Sequence, residues 1–163
     1  MAPEPAIRQG MRMDGPPILI CYDGSPEAAR AIEVAAGLLG KGRAVVLDVG
    51  PEITPTESLA TLSPVAPGAA FEELNLDDAS RVAAQGAQLA RTAGFEAEAR
   101  SALDAPTWDG VVSVADELDA PVIVTGSRGL NALQERLEGS VSHAVAEHAG
   151  RPVLIVPPPH DQP

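Results

Sequence analysis

Gly126-Ser127-Arg128-Gly129 follows directly on the apolar run Pro121-Val122-Ile123-Val124-Thr125. After nine intervening residues comes Gly139-Ser140, which opens a helical pattern from Val141 to His148. Glycines at the end of a strand let the backbone turn sharply and approach a ligand closely. A Gly-Ser pair at a helix start adds free backbone N–H groups, a hydroxyl and the positive end of the helix dipole. Together these are the parts of a phosphate cradle. Arg128, inside the loop, is a candidate direct contact, and Ser140 can both cap the helix and bind phosphate. A second polar candidate, Asp23, ends the apolar run Ile18-Leu19-Ile20-Cys21.

These residues need a scaffold that holds them. Pro17 to Tyr22 reads as a strand, and its continuous apolarity predicts burial on both faces, as in a parallel sheet. Ser25-Pro26 is a cap followed by a favoured first helical residue, and the helix runs to about Leu39 with a stop at Gly40. Arg43 to Val49 is a second buried strand, ended by Gly50-Pro51. Pro51 to Gly68 carries four prolines and reads as a long loop. Phe71 to Ala93 is helical, with Leu76, Ala79, Ala83, Gly86 and Ala90 on one stripe. Phe95 to Arg100 alternates apolar and charged residues, the pattern of a strand with one wet face. Asp104 and Thr107 are candidate caps for a helix to about Leu118, with Trp108 packing its start against the sheet. Pro121 to Thr125 and Val153 to Val156 are buried strands. The alternation of strands and helices predicts an α/β fold, an open twisted parallel five-stranded sheet with helices on both faces. The amphipathic third strand belongs at an edge, and the first and fourth belong in the centre.

Gly126-x2-Gly129-x9-Gly139-Ser140 matches the nucleotide-binding signature G-x2-G-x9-G-[ST], and the chain thereby resembles the universal stress protein family. Ile18 to Ser25 resembles the family's first strand and its terminal aspartate. Gly139 to Val156 resembles its last helix and strand. The resemblance spans roughly Pro16 to Val156 and implies the strand order 3-2-1-4-5 of the adenine nucleotide alpha hydrolase-like, Rossmann-like fold. Ligands of such sheets bind beyond the carboxyl ends of the strands, where the winding direction reverses. That crevice lies between the first and fourth strands, so Asp23 and Gly126 converge on it.

The resemblance further implies ATP as ligand, together with magnesium. It implies a hydrogen bond from Asp23 to the sugar or base, a base pocket lined by Cys21 and Tyr22, Val49 at the adenine edge and Thr125 against the ribose or base. Gly126, Arg128, Gly129, Gly139 and Ser140 would hold the phosphates, with Val141 and Ser142 in the first helical turn and Ser142 as a second hydroxyl contact. One departure stands out. Glu135 and Glu138 flank Arg136 in the loop, and a carboxylate near a triphosphate is repulsive unless a cation intervenes. Either these side chains point outward, or affinity is weak, or a divalent cation bridges.

The whole composition narrows the remaining classes. The 163 residues suit one domain, expected over 16–157 between tails at 1–15 and 158–163. Aromatic residues are only 2%, so the core must be aliphatic and alanine-rich. A formal charge of −12 disfavours nucleic acid and anionic membrane surfaces as partners. Cys21 is the single cysteine and reads as a small buried hydrophobe. No run approaches ~18 apolar residues, and no secretory h-region opens the chain, so a cytoplasmic location is expected. His143 and His148 read as surface or packing residues. P-loop, GxGxxG, GxSxG, HExxH and CxxC patterns do not occur, and no general base is assignable. The expectation is a nucleotide-binding regulator and not an enzyme. The alternatives are an interaction scaffold of the same family without nucleotide, or a slow ATP hydrolase. The wholly apolar Val153-Leu154-Ile155-Val156 at a sheet edge predicts a homodimer through that strand.

Overall fold

Ile18, Leu19 and Ile20 have no exposed surface, and neither do Ile123 and Val124. Strands this dry must have neighbours on each side and helices above and below. The structure, a computed structural model, describes residues 15–51, 68–104, 106–127 and 141–159. Its elements are β1 (Ile18–Cys21), α1 (Pro26–Leu39), β2 (Arg43–Pro51), α2 (Gly68–Ala93), β3 (Glu96–Asp104), α3 (Thr107–Glu117), β4 (Ile123–Gly126), α4 (Val141–His148) and β5 (Val153–Val156). The strands form one parallel sheet in the order β3-β2-β1-β4-β5. The expected fold class and strand order are therefore present. Among the described residues no helix is long and apolar enough to cross a membrane.

Alternate strand residues feed two separate cores. Ile18, Ile20, Tyr22, Val46 and Val124 pack with Ala28, Ile32 and Ala35 of α1 and Ala87 and Ala90 of α2. Leu19, Val45, Leu47 and Ile123 pack with Val111 and Val114 of α3 and Val145 of α4. The expected start of α1 is present, because Ser25 Oγ accepts the Ala28 N–H at 3.1 Å and Pro26 follows the cap.

Several details differ from the sequence reading, among them the start of the second helix at Gly68 and the fourth strand over Ile123–Gly126. β2 and β3 pair over their full length, from Arg43 with Glu96 to Pro51 with Asp104. The ladder is made by the main chain and outlasts the side-chain alternation that defined Phe95 to Arg100. Asp104 is thus a strand residue, and Pro106, which makes no side-chain cap bond, stands at the helix start in place of Asp104 or Thr107. Leu76 leaves the predicted stripe and is 42% exposed. The buried stripe of α2 begins at Ala79, and it is the Asn75 carbonyl that comes near Gly50 of β2. Residues 1–14, 52–67, 105, 128–140 and 160–163 lie outside the described residues.

The stripe of α2 is made of small residues, which lets the helix settle close to the sheet. Gly86 is the closest point. A Cβ there would lie 2.5 Å from Cδ1 of Tyr22 and 2.8 Å from Cγ1 of Val46. The ring of Tyr22 occupies the volume that a side chain would take. Gly37 of α1 is the converse, with nothing within 4 Å of its missing Cβ. Gly86→Ala is expected to destabilise the protein by about 1–3 kcal/mol through overpacking. Gly37→Ala is expected to stabilise it by about 0.5–1 kcal/mol through helix propensity. Chemical denaturation of the two variants checks both signs, and equal effects would show that α2 does not press on Tyr22.

Candidate functional site

The sheet ends its two central strands side by side. β1 and β4 are hydrogen-bonded neighbours, with Leu19 opposite Ile123 and Ile20 opposite Val124. Asp23 leaves β1 and Gly126 closes β4, so the two features, far apart in sequence, meet where the strand order reverses. Asp23 shapes the turn itself. Its Oδ1 accepts the Ser25 N–H at 2.9 Å, Gly24 takes a left-handed φ of 81°, and Ser25 then caps α1.

Gly126 has an intramolecular reason to be glycine. A Cβ at that position would lie 3.2–3.3 Å from the backbone and Cβ of Glu27 in the first turn of α1. The end of β4 thus presses against the start of α1, which brings it to the Asp23 turn. The Ser127 N–H donates to the Val156 carbonyl at 2.9 Å. That amide belongs to the sheet.

The remaining predicted residues fall as follows. Thr125 is buried, and its Oγ1 donates to the Gly126 carbonyl at 3.1 Å. Tyr22 is buried with its ring under α2, and burial together with the Asp23 charge raises its pKa. Cys21 is half-buried, and burial, reinforced by the Asp23 and Asp48 charges, pushes its thiol up to about 12. It is an inert packing residue, as expected. Val49 is not at the end of β2, which runs on to Pro51. It packs into the core under α3, where its Cγ1 would be 3.1 Å from a Cβ on Gly110. Val141 is half-buried and Ser142 is 6% exposed, on the face of α4 that also buries Val145. Arg128, Gly129, Gly139 and Ser140 lie outside the described residues, as do Glu135 and Glu138.

Two groups were not singled out from sequence, Asp48 beside the end of β1 and Arg151 at the opposite, amino end of β5, and Trp108 does more than expected. Asp48 lies on β2 next to the end of β1. Burial, then the charges of Asp23 and Asp78, raises its carboxyl to about 6 against the opposing pull of the Val49 N–H. Arg151 precedes β5 and ties the ends of three elements together. Its guanidinium donates to the carbonyls of Ala115 at 2.8 Å, Ala120 at 2.7 Å and Ala149 at 3.2 Å, and it pairs with Asp116. Trp108 was expected against the sheet. It does pack on the core there, and its ring also stacks on His148 with centroids 4.2 Å apart, joining α3 to α4. The signal that could have found Asp48 is that it interrupts the apolar run from Ala44 to Val49.

The raised carboxyl of Asp48 has a consequence for stability. A folded value near 6 lies above the unfolded value of about 3.9. The fold therefore favours the protonated form. The contribution is fully present below about pH 3.9 and is lost as pH rises through about 6. With the side chain partly in solvent, the loss is about 1 kcal/mol. Asp48→Asn is expected to retain that stability at neutral pH. Urea unfolding at a series of pH values checks this, and identical profiles for the two proteins would contradict it.

The relatives of the chain are in keeping with this geometry. The model of the universal stress protein family matches residues 16–157. The universal stress protein YxiE of Bacillus subtilis is 31% identical over 144 residues, 85% of this chain and 97% of that protein. The structure of the hypothetical protein MJ0577 shares the fold with a TM-score of 0.70 at 22% identity, covering 88% of this chain and 96% of that one. The universal stress protein of Archaeoglobus fulgidus, solved in complex with dAMP, is 25% identical with a TM-score of 0.59 and covers 86% of this chain and 96% of its own. With a family match over nearly its whole folded length, a relative above 30% identity and the expected sheet, the chain belongs to the universal stress protein family.

Proposed function

We propose that the chain binds an adenine nucleotide, ATP together with magnesium, at the carboxyl ends of β1 and β4, and acts as a small cytoplasmic regulator of a stress response. The observation that carries this reading is the meeting of the Asp23 turn with the end of β4 at the point where the strand order reverses. The dAMP complex of the Archaeoglobus fulgidus relative supports an adenosine ligand. In this reading Asp23, the backbone of Cys21 and Tyr22, Val49 and Thr125 receive the base and sugar. Gly126, Arg128, Gly129, Gly139, Ser140, Val141 and Ser142 receive the phosphates, with the first-turn N–H groups of α4 as donors. Residues 16–157 form the single working domain, and 1–15 and 158–163 are tails. The chain acts by binding and not by catalysis.

Gly129→Val removes the room that a phosphate cradle needs. It is expected to weaken ATP binding at least about tenfold while the far-UV circular dichroism stays native. Titration calorimetry with magnesium present checks this, and an unchanged affinity would rule out the cradle. Denaturing the purified protein and identifying released small molecules separates a binder from a scaffold. Incubation with ATP separates a binder from a slow hydrolase.

We further propose a homodimer through β5. The strand lies at the sheet edge, and Ile155 is 37% exposed there while Val156 is buried. Val153, Leu154, Ile155 and Val156 of two copies can pair about a two-fold axis and satisfy both edges. Light scattering should report about twice the chain mass at micromolar concentration, and Ile155→Lys should shift the protein toward monomer. A wild-type chain that stays monomeric at high concentration would defeat the proposal.

A further inference from the structure

The two helices on one face of the sheet leave a furrow between them. α1 lines it with Ala29, Ile32 and Glu33, and α2 lines it with Leu89, Thr92 and Ala93. Its volume is about 240 Å³. That is below the roughly 300–1,000 Å³ of a small-molecule pocket, but it admits aliphatic side chains. The floor is dry and apolar, with Ile32 only 1% exposed. One wall is unfinished, because Leu89 is 41% exposed. Glu33 stands on the α1 rim and makes no ion pair among the described residues. An apolar furrow with an acidic rim suits a peptide segment that brings apolar side chains and a cation.

The chain supplies such a segment at the right place. β1 and β3 start together at the amino end of the sheet, where Ile18 pairs with Ala44 and Glu96 with Arg43. The last turn of α2 reaches the same end, because the Phe95 N–H donates to the Ala90 carbonyl just before β3 begins. Ile18 packs in the core that α1 and α2 share, Pro17 before it is buried and Pro16 is exposed. Residues 1–14 therefore join the fold close to the furrow. Extended, they can span roughly 45 Å, and a helix is only about 10 Å across. Ile7 and Met11 in this segment are four apart, the spacing that puts two side chains on one side of a helical turn. Met1, Met11 and Met13 are all the methionines of the chain, and flexible thioether side chains fill irregular grooves. Arg8 and Arg12 directly follow Ile7 and Met11. These two arginines balance Glu4 and Asp14, so residues 15–163 carry the whole formal charge of −12. The segment is thus not repelled by the acidic body, and its arginines are drawn to it.

We propose that residues 1–14 fold back over the amino end of the sheet and seat Ile7 and Met11 in the furrow between α1 and α2, with a neighbouring arginine against Glu33. The contact covers Leu89 and ties the two helices together from outside.

The test is a thiol cross-link in the full chain with a short bis-maleimide at neutral pH. Cys21, half-buried and with its thiol pushed up to about 12, stays out of the reaction. Gln9→Cys is combined either with Thr92→Cys at the furrow or with Leu38→Cys. Leu38 is 67% exposed in the last turn of α1, and helical periodicity turns it away from the furrow. An undocked segment meets both targets at similar rates. The Gln9–Thr92 pair is expected to close at least about tenfold faster than the Gln9–Leu38 pair, at a rate that dilution does not change. Adding Met11→Asp is expected to abolish the difference. Equal rates for the two pairs would overturn the proposal. So would a link found only as a doubled mass, which would give the furrow to a second copy. In the otherwise native chain, Ile7→Asp combined with Met11→Asp is expected to lower the urea midpoint of unfolding, and an unchanged midpoint would also overturn it.

Discussion

A parallel strand with partners on both sides has no wet face, and this constraint organises the molecule. β1, β2 and β4 send alternate side chains into two separate dry cores. A polar group within either core would have to be fully satisfied there. Chemistry is therefore displaced to the strand ends. The amino ends are entered from helices on either face, but at the carboxyl ends of β1 and β4 the crossovers leave in opposite directions and a crevice opens between them. Asp23, Thr125 and Gly126 are grouped there because the winding leaves no other dry-walled opening along those two strands.

Small residues make that arrangement tight. α2 presents Ala79, Ala83, Ala87 and Ala90 to the sheet, all essentially buried. A helix so lined approaches closer than one lined by leucine, and the loss of apolar area per residue is offset by close contact. The ring of Tyr22, the single tyrosine, fills the one gap in the stripe at Gly86. On the other face the joint between helices is made differently. Arg151 collects three carbonyls at the ends of α3 and α4, and the Trp108–His148 stack bolts the two helices together. The carboxyl end of α4 is thereby held to α3.

The electrostatics of the rim run against a simple anion site. A chain of formal charge −12 places Asp23 and Asp48 on adjacent strands near the proposed nucleotide. Backbone amides and a helix terminus can still attract phosphate locally, because they act at hydrogen-bond range while carboxylates further off are screened.

Much of the fold was legible in the sequence because burial on both faces writes itself into local composition. Ile18 to Cys21 and Pro121 to Thr125 are unbroken apolar runs, Glu96 and Glu98 mark an edge, and Ser25-Pro26 marks a helix start within four residues. The convergence of Asp23 on Gly126 was legible as well, since strand order and the crossover rule place both at one crevice. The length of β3, the exposure of Leu76 and the cap at Pro106 were not, because backbone pairing with Pro51 and the reach of α2 across the sheet leave no local pattern. The sequence by itself determined which segments must be dry and where polar residues interrupt them. Only the tertiary structure decided that Gly86 receives Tyr22, that Arg151 holds Ala115 from 36 residues away, and that Asp48 lies within the field of Asp23 and Asp78. Each of those depends on a distance between residues remote along the chain, and such a distance is fixed only when the helices have settled on the sheet.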